Sequence, residues 1–334
     1  MPTPQLPRAR SSAPGKLMLF GEYAVLEGHD AVTCAFDARI TVTAEALAEP
    51  VVVIDSPRIL SEPLRRPVES LAGDAPSRLA FVWACLAGRA PFPWGGGIAL
   101  HIDAGFPREW GFGSSSAVTV ATLDALDALV GAQKDPVQLA AAATGLIQRV
   151  QGGVGSGYDA ANQAVGGLIR YRMPRAPGAL PEVERLPMPA AGGPTLFAAW
   201  TRDKVSTPSM VRAVRERFPP GDAVYRELGD LARRAADAAR ASQWDVMGSL
   251  LDEGQRLQER LGTSPEALSI ALREARKADG VLGAKLTGAG GGDSALILAR
   301  DEAAAAKACE LGRLILLPSR PDSDGLRRLP FADA

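Results

Sequence analysis

Gly111-Phe112-Gly113-Ser114-Ser115-Ser116-Ala117 stands directly before an apolar run with helical spacing, Ser115 to Val130. The start of a helix leaves backbone N–H groups without intrahelical partners and carries the positive end of the macrodipole, so anionic oxygens are stabilised there. Glycines let the backbone approach a ligand, and serines add hydroxyls. Two readings fit the stretch alone: a phosphate cradle, or ordinary turn chemistry, which also uses Gly and Ser. What lies elsewhere in the chain has to decide between them.

Composition narrows the choice. With 334 residues the chain is long enough for two lobes or one large α/β unit, and a cleft between lobes is a usual place for small ligands. The formal charge of −1, without an extended basic block, gives no footprint for nucleic acid or an anionic membrane, so local positive charge must serve small anions. Cys34, Cys85 and Cys309 are odd in number and far apart, which fits neither a disulfide framework nor zinc-ligand spacing and points to a reducing cytosol. The start MPTPQLPRARSS lacks the apolar core of a signal peptide, and no stretch approaches the roughly 20 apolar residues of a membrane span. A cytoplasmic protein with a frayed N-terminus is expected.

The spacing predicts a strand and tight turn over Ser12 to Val25, and a half-buried strand over Ala35 to Ala46 with Ile40, Val42 and Ala44 on one face. A strand over Ile98 to Ile102 leads into the glycine-serine loop. Asp135-Pro136 opens a helix reaching about Val150, the glycines of Gly152 to Gly157 end it, and Tyr158 to Ala164 starts another. Met173 to Pro194, rich in Pro and Gly, reads as an exposed connection or lobe boundary. Beyond it come a strand (Thr195 to Trp200), helices from Ser209, Asp222, Trp244 and Ser264, a second glycine loop (Gly288-Ala289-Gly290-Gly291-Gly292-Asp293), and a βαβ-like end from Ser294 to Leu317.

Three features therefore recur in order: an early Pro14-Gly15-Lys16, the central GFGSSS loop and the late GAGGGD loop. There is no GxxxxGK[ST] loop, no complete dinucleotide fingerprint and no HRD or DFG triplet. The order and wording resemble the GHMP kinase superfamily of small-molecule kinases, whose three motifs match Ser12 to Gly28, Pro107 to Ala117 and Lys285 to Ser294. Within it, three stretches are similar to the phosphomevalonate kinase family: Gly153-Val154-Gly155-Ser156-Gly157-Tyr158-Asp159, then Ala199-Trp200-Thr201 with Ser206-Thr207-Pro208, and Asp293 closing GAGGGD.

The resemblance implies ATP as phosphoryl donor, Mg2+ as its companion and mevalonate 5-phosphate as acceptor. Moving a γ-phosphoryl group among crowded negative charges is a matter of positioning and neutralisation. Lys16, carried on a Pro-Gly turn, is placed by the resemblance over the reacting phosphates; outside that setting it reads as a solvated lysine. Asp159 resembles the catalytic aspartate of mevalonate-type kinases, accepting a proton or orienting the acceptor, and its plain alternative is a helix cap. Lys16 and Asp159 are thus the expected catalytic pair. Gly111, Gly113, Ser114, Ser115, Ser116 and Ala117 are expected to hold the nucleotide, with Ser114 or Ser115 bringing a hydroxyl to Mg2+.

This loop departs from the family's GLGSSAA at Phe112 and Ser116, and neither exchange removes a donor. Where mevalonate kinases place a glutamate ahead of the aspartate this chain has Gln148, so the metal would rest on serine, phosphates, Asp159 and water. Expected substrate contacts are Lys16, Tyr23, Ser156, Asp159, Lys204, Ser206, Thr207, Gly288, Ala289 and Gly290. A phosphorylated acid asks for further cations. Lys204, Arg202, Arg149 and His29 are the candidates, Lys204 foremost because it precedes Ser206 and Thr207, whereas His29 also fits a plain turn.

The expected protein is α+β and two-lobed, residues 1–180 binding ATP and 181–334 completing the substrate site, with the active site in the cleft between. It is expected to act as a monomer or homodimer on small molecules alone, as a phosphomevalonate kinase making mevalonate 5-diphosphate. Mevalonate kinase is the nearest alternative. A related decarboxylase would also release carbon dioxide, and a non-catalytic nucleotide or sugar sensor would tend to lose Lys16 or Asp159, both of which are present.

Overall fold

The apolar end of β1 (Arg8–Phe20), Leu17 to Phe20, and the β-branched residues of β2 (Ala31–Leu47) make one long hairpin on which the first lobe is built. The structure, a computed structural model, describes residues 6–176, 178–202, 207–292 and 294–331. After the hairpin come β3 (Val51–Asp55), β4 (Leu64–Pro67), α1 (Ala80–Ala87), β5 (Gly97–Ala104), α2 (Ser114–Leu129), α3 (Pro136–Val150), α4 (Tyr158–Val165), β6 (Leu168–Arg172) and β7 (Glu182–Leu186). The remainder is β8 (Thr195–Trp200), α5 (Thr207–Arg217), α6 (Ala223–Arg240), α7 (Trp244–Leu261), α8 (Glu266–Ala275), β9 (Val281–Leu286), β10 (Ser294–Ala299), α9 (Glu302–Gly312), β11 (Ile315–Leu316) and β12 (Arg327–Arg328).

The first sheet runs β12-β1-β2-β5-β3-β4, with β6 and β7 branching from β2. β2 is long enough to serve two neighbours on the edge opposite β1: Ala31 to Cys34 pair with β6, and Ile40 to Leu47 pair with β5. Its alternation holds, Ile40, Val42 and Ala44 turning inward against α2 and Thr41 and Thr43 lying half-buried on the open face. The second sheet, β11-β8-β10-β9, is antiparallel and carries its own core of Phe197, Leu272, Ile297 and Ala308 beneath α8 and α9. β10 and β11 flank β8 and are joined through α9, the βαβ-like end expected from sequence. The architecture is two-lobed and α+β.

Three local differences from the sequence reading have plain causes. β1 does not turn at Pro14-Gly15 but runs on through it, with a register shift between these residues that absorbs the missing N–H of proline. The Pro- and Gly-rich connection after Met173 contains β7, a strand that pairs with β6 and so joins the first sheet from beyond residue 180. β12 joins that sheet from the other side, pairing Arg327 and Arg328 with Ser12 and Ser11, so β8 to β11 lie between strands of the first sheet in chain order. No helix among the described residues is long and apolar enough to cross a membrane.

Candidate active site

β1 carries Lys16 at the centre of the molecule. Its neighbours Leu17 to Phe20 are all buried because the strand is covered on both faces. The Lys16 N–H donates to the Phe112 carbonyl at 3.1 Å, tying the first motif to the second. Phe112 is fully buried among Phe36, Phe106 and Trp110, with ring centroids 5.5 to 5.7 Å away, so it anchors the loop in the core. A Cβ at Gly15 would stand 2.7 Å from the Phe112 ring, which is why glycine follows the proline.

Gly113 caps α2 at φ 71°, and a Cβ there would lie 2.7 Å from Lys16 Cε. Glycine therefore serves twice, permitting the left-handed turn and letting the lysine stem pass against the loop. Gln163 of α4 donates to the carbonyls of Phe112 and Gly113, at 3.3 and 3.0 Å. The Ser116 hydroxyl is spent on the Gly113 carbonyl at 2.9 Å, and the Ala117 N–H on the same carbonyl at 3.0 Å. What the expected cradle leaves open is the first turn of α2: the N–H groups of Ser114, Ser115 and Ser116, with the hydroxyls of Ser114 and Ser115 engaged by no described residue. Gly111, at φ 67°, closes the turn that precedes it.

Asp159 stands in the first turn of α4, whose cap is Gly157 and which has no side-chain cap. The cap reading of Asp159 is thus set aside: its Oδ1 instead lies 2.6 Å from Lys16 Nζ, as an ion pair without hydrogen-bond alignment. The lysine side chain is 8% exposed and the carboxylate 36%, so one face of the pair is open to a ligand. Lys16 Nζ also lies 5.2 Å from the centroid of the Tyr158 ring. Burial, then the negative charges of Asp159 and Glu22, push the Tyr158 phenol well above its usual range, so it stays neutral. The glycine-rich turn before Asp159 is pinned by its carbonyls. Gln148 donates to Gly155 at 2.7 Å and Tyr171 donates to Ser156 at 2.6 Å. Gln148 is therefore a loop anchor.

The third motif is fastened to the first. Lys285 is buried with Glu22 in an ion pair, both side chains at most 2% exposed, and it also donates to the Leu286 carbonyl at 2.7 Å. Burial raises the Glu22 pKa despite the opposing pull of Lys285. Thr287 Oγ1 donates to the Met18 carbonyl at 2.7 Å and accepts from the Met18 N–H at 3.0 Å. The Tyr23 hydroxyl donates to the Ala289 carbonyl. Gly291 N–H donates to Thr263 O at 2.7 Å, and Ser294 Oγ to the Trp110 carbonyl at 2.7 Å. The Gly288 to Gly292 loop is thus bracketed by both other motifs.

The remaining expected cations that are described, Arg202, Arg149 and His29, are not seen in contact with the Lys16–Asp159 pair. Lys204 and Ser206 lie outside the described residues, as does Asp293, and Thr207 is the first residue of α5. Arg202 and Arg149 are exposed. The His29 ring packs on α6, close enough that a Cβ at Gly229 would stand 2.6 Å from it. A cavity of about 560 Å³ bordered by Ser12, Arg39, Thr41, Trp110 and Arg327 lies apart from the Lys16–Asp159 pair. Arg39 is already committed there to Ser12, Asp322 and Gly325, bonds that fasten the C-terminal segment to the sheet. Sequence reasoning missed Glu22, Lys285, Gln163 and Tyr171. A signal existed for the first two: single opposite charges set in otherwise apolar runs, FGEYAV and AKL.

A family model described as GHMP kinases N terminal domain matches residues 79–167, and one described as GHMP kinases C terminal matches residues 235–311. The chain is 30% identical over 310 residues to the mevalonate kinase of Thermococcus gammatolerans, covering 88% of this chain and 90% of that one. It is 31% identical over 291 residues to the mevalonate kinase of Methanothermobacter thermautotrophicus, covering 86% and 89%. The fold superposes on the Lin0012 protein of Listeria innocua with a TM-score of 0.83 at 21% identity, over 96% of this chain and 99% of that one.

These sequence relatives overturn the expected assignment to phosphomevalonate kinase, since the proteins 28 to 31% identical to this chain, matched over 86 to 98% of their own length, are mevalonate kinases. The wording that pointed to the phosphorylated acceptor lies in loops and in the ends of β8, α4 and α5 that adjoin them. In the GSGYD turn the contacts on Gly155 and Ser156 are to carbonyls, and Ser206 and Asp293 lie outside the described residues. Loop wording of this kind answers to backbone anchoring before it answers to a substrate. With an ion-paired lysine and aspartate beside an open helix start, and sequence kinship along nine-tenths of a relative's length, the chain belongs to the GHMP kinase superfamily.

Proposed function

We propose that the chain transfers the γ-phosphoryl group of ATP to a hydroxyl of mevalonate, releasing ADP. The observation that carries the reading is the Lys16–Asp159 pair at 2.6 Å, set beside the free N–H groups of α2, in a chain whose relatives are mevalonate kinases. The N–H groups of Ser114, Ser115 and Ser116 bind phosphate oxygens, and Lys16 neutralises charge that builds on the transferring group. The open face of Asp159 accepts the hydrogen bond of the mevalonate hydroxyl and takes its proton as the new O–P bond forms and the bond to ADP breaks.

The donor set fits Mg2+. Two unengaged serine hydroxyls and one half-open carboxylate adjoin the place where phosphates would bind, although no group of three His, Cys, Asp or Glu placed to hold a metal ion is present among the described residues. Ser114, Ser115 and Asp159 would hold the ion together with the nucleotide's own oxygens and water, and the bound ion would supply charge neutralisation. Gln148 is occupied with Gly155 and offers no carboxylate. A reading as a non-catalytic sensor gains nothing here, because both reactive groups are present and paired.

A coupled ADP-release assay with ATP, Mg2+ and mevalonate tests the proposal. ADP formation that saturates with mevalonate is expected. ADP formation no faster than the rate without acceptor would overturn it.

A further inference from the structure

Tyr23 has a backbone that few residues other than glycine adopt. Its φ is 63° and its ψ −45°, and the Ala24 N–H donates across it to the Glu22 carbonyl at 2.7 Å. This is a γ-turn of the positive-φ kind, rare and strained for a bulky residue. Glycine would take it freely, yet the chain keeps a tyrosine that is only 6% exposed. A strained conformation persists where its surroundings require it, and what this one presents is the phenol, donated to the Ala289 carbonyl.

The loop that receives it has little else to hold its tip. Thr287 fixes its start to Met18, Gly291 is fixed to Thr263, and Ser294 fixes its end to Trp110. Between these, Gly288 turns at φ 74° with nothing within 4 Å of the place a Cβ would occupy. The hydroxyl of Tyr23 is the side-chain hydrogen bond on the Gly288 to Gly290 stretch among the described residues.

We propose that Tyr23 is a positioning residue, which clamps the Gly288 to Gly292 loop through Ala289 and so sets the loop's height over the transferring phosphoryl group, without touching the acceptor. This deepens the phosphoryl-transfer reading above and rests on it. Burial, followed by the charge of Glu22, pushes the phenol above its usual range, so the group is a protonated donor at neutral pH. The clamp is coupled to the buried pair next to it. Glu22, the preceding residue in the same turn, is held by Lys285 from the strand that leads into the loop.

Tyr23→Phe keeps the ring and removes the hydroxyl. The expected result is a kcat lower by about five- to tenfold, the scale of one hydrogen bond, with the KM for mevalonate within about twofold of the parent and faster amide exchange across residues 288–292. Tyr23→Gly suits the backbone but lacks the phenol, and its kcat is expected to be no higher than that of Tyr23→Phe. Unchanged exchange in Tyr23→Phe, a raised KM for mevalonate at constant kcat, or a Gly variant faster than the Phe variant would each overturn the proposal. The exchange measurement needs no acceptor. A chain inactive on mevalonate would therefore refute the functional reading while the state of the clamp is still read.

Discussion

Removing Lys285 should be far more damaging than removing Lys285 and Glu22 together. In Lys285→Met the carboxylate of Glu22 loses its ion partner while remaining buried, with its side chain 2% exposed, and the Leu286 carbonyl loses a donor. Breaking a buried pair from one side costs about 3–5 kcal/mol, whereas exchanging both members for neutral groups of similar volume is often close to neutral. At this size one kcal/mol moves the melting temperature by roughly 2 °C, so Lys285→Met should melt about 6–10 °C low. The double variant Glu22→Gln/Lys285→Met should recover at least half of that loss, leaving a coupling energy of about 2 kcal/mol or more in the cycle.

The pH dependence has a definite sign. Burial already raises the Glu22 pKa above 4.5, so above that value the folded chain binds more protons than the unfolded one at this site and stability declines as pH rises. Lys285 opposes the shift, and its removal widens the window upward. The deficit of Lys285→Met should therefore shrink as the pH is lowered from about 8 to about 6, and the double variant should show no such recovery. Thermal melts of the four proteins at both pH values provide the measurement. A Lys285→Met protein within about 1 kcal/mol of the parent at neutral pH, or a double variant that simply adds the two single losses, would refute the reasoning.

Other changes probe the catalytic side. Asp159→Asn and Lys16→Met should each lower kcat by about 100-fold or more, with melting temperatures near that of the parent, in the ADP-release assay. Gly113→Ala must place a Cβ 2.7 Å from Lys16 Cε at a φ of 71°, so kcat should fall by about 10- to 100-fold through displacement of the lysine. Glu184 is drawn down to about 2 from 4.5, first by hydrogen bonds from Arg240 and Arg170, across β7, β6 and α6. The unfolded chain binds the extra proton between those values, so this contribution is present above pH 4.5 and is lost on acidification toward 2. The group is about a third exposed, so Glu184→Gln should cost no more than about 1 kcal/mol near neutrality and should flatten the acid limb of urea midpoints measured against pH.

Much of this was legible in the residues. Asp135 caps α3 and Pro136 opens it, as that dipeptide signals, and the alternation of β2 puts Ile40, Val42 and Ala44 inside. The three loop motifs meet in space, and Lys16 meets Asp159 across more than 140 residues of chain. The rest was hidden for physical reasons. α1 is apolar all round, AFVWACLA, and so has no helical face to detect, and β7 lies among prolines and glycines that read as a connection. β1 crosses Pro14-Gly15 because a shifted register tolerates it, which no local propensity reveals. Gln163 and Tyr171 are ordinary residues until the fold aims them at loop carbonyls. Acceptor choice was the least legible, because discrimination between related substrates is a difference of a few contacts and the loop wording that suggested one acceptor also serves to anchor backbone.

The most direct test is a side-by-side measurement of kcat/KM for mevalonate and for mevalonate 5-phosphate, with ATP and Mg2+ saturating and the product identified by phosphorus NMR. Efficient formation of a phosphate monoester from mevalonate, with little or no turnover of the phosphorylated acceptor, is the predicted result. A diphosphate formed from mevalonate 5-phosphate, with mevalonate left unreacted, would contradict it.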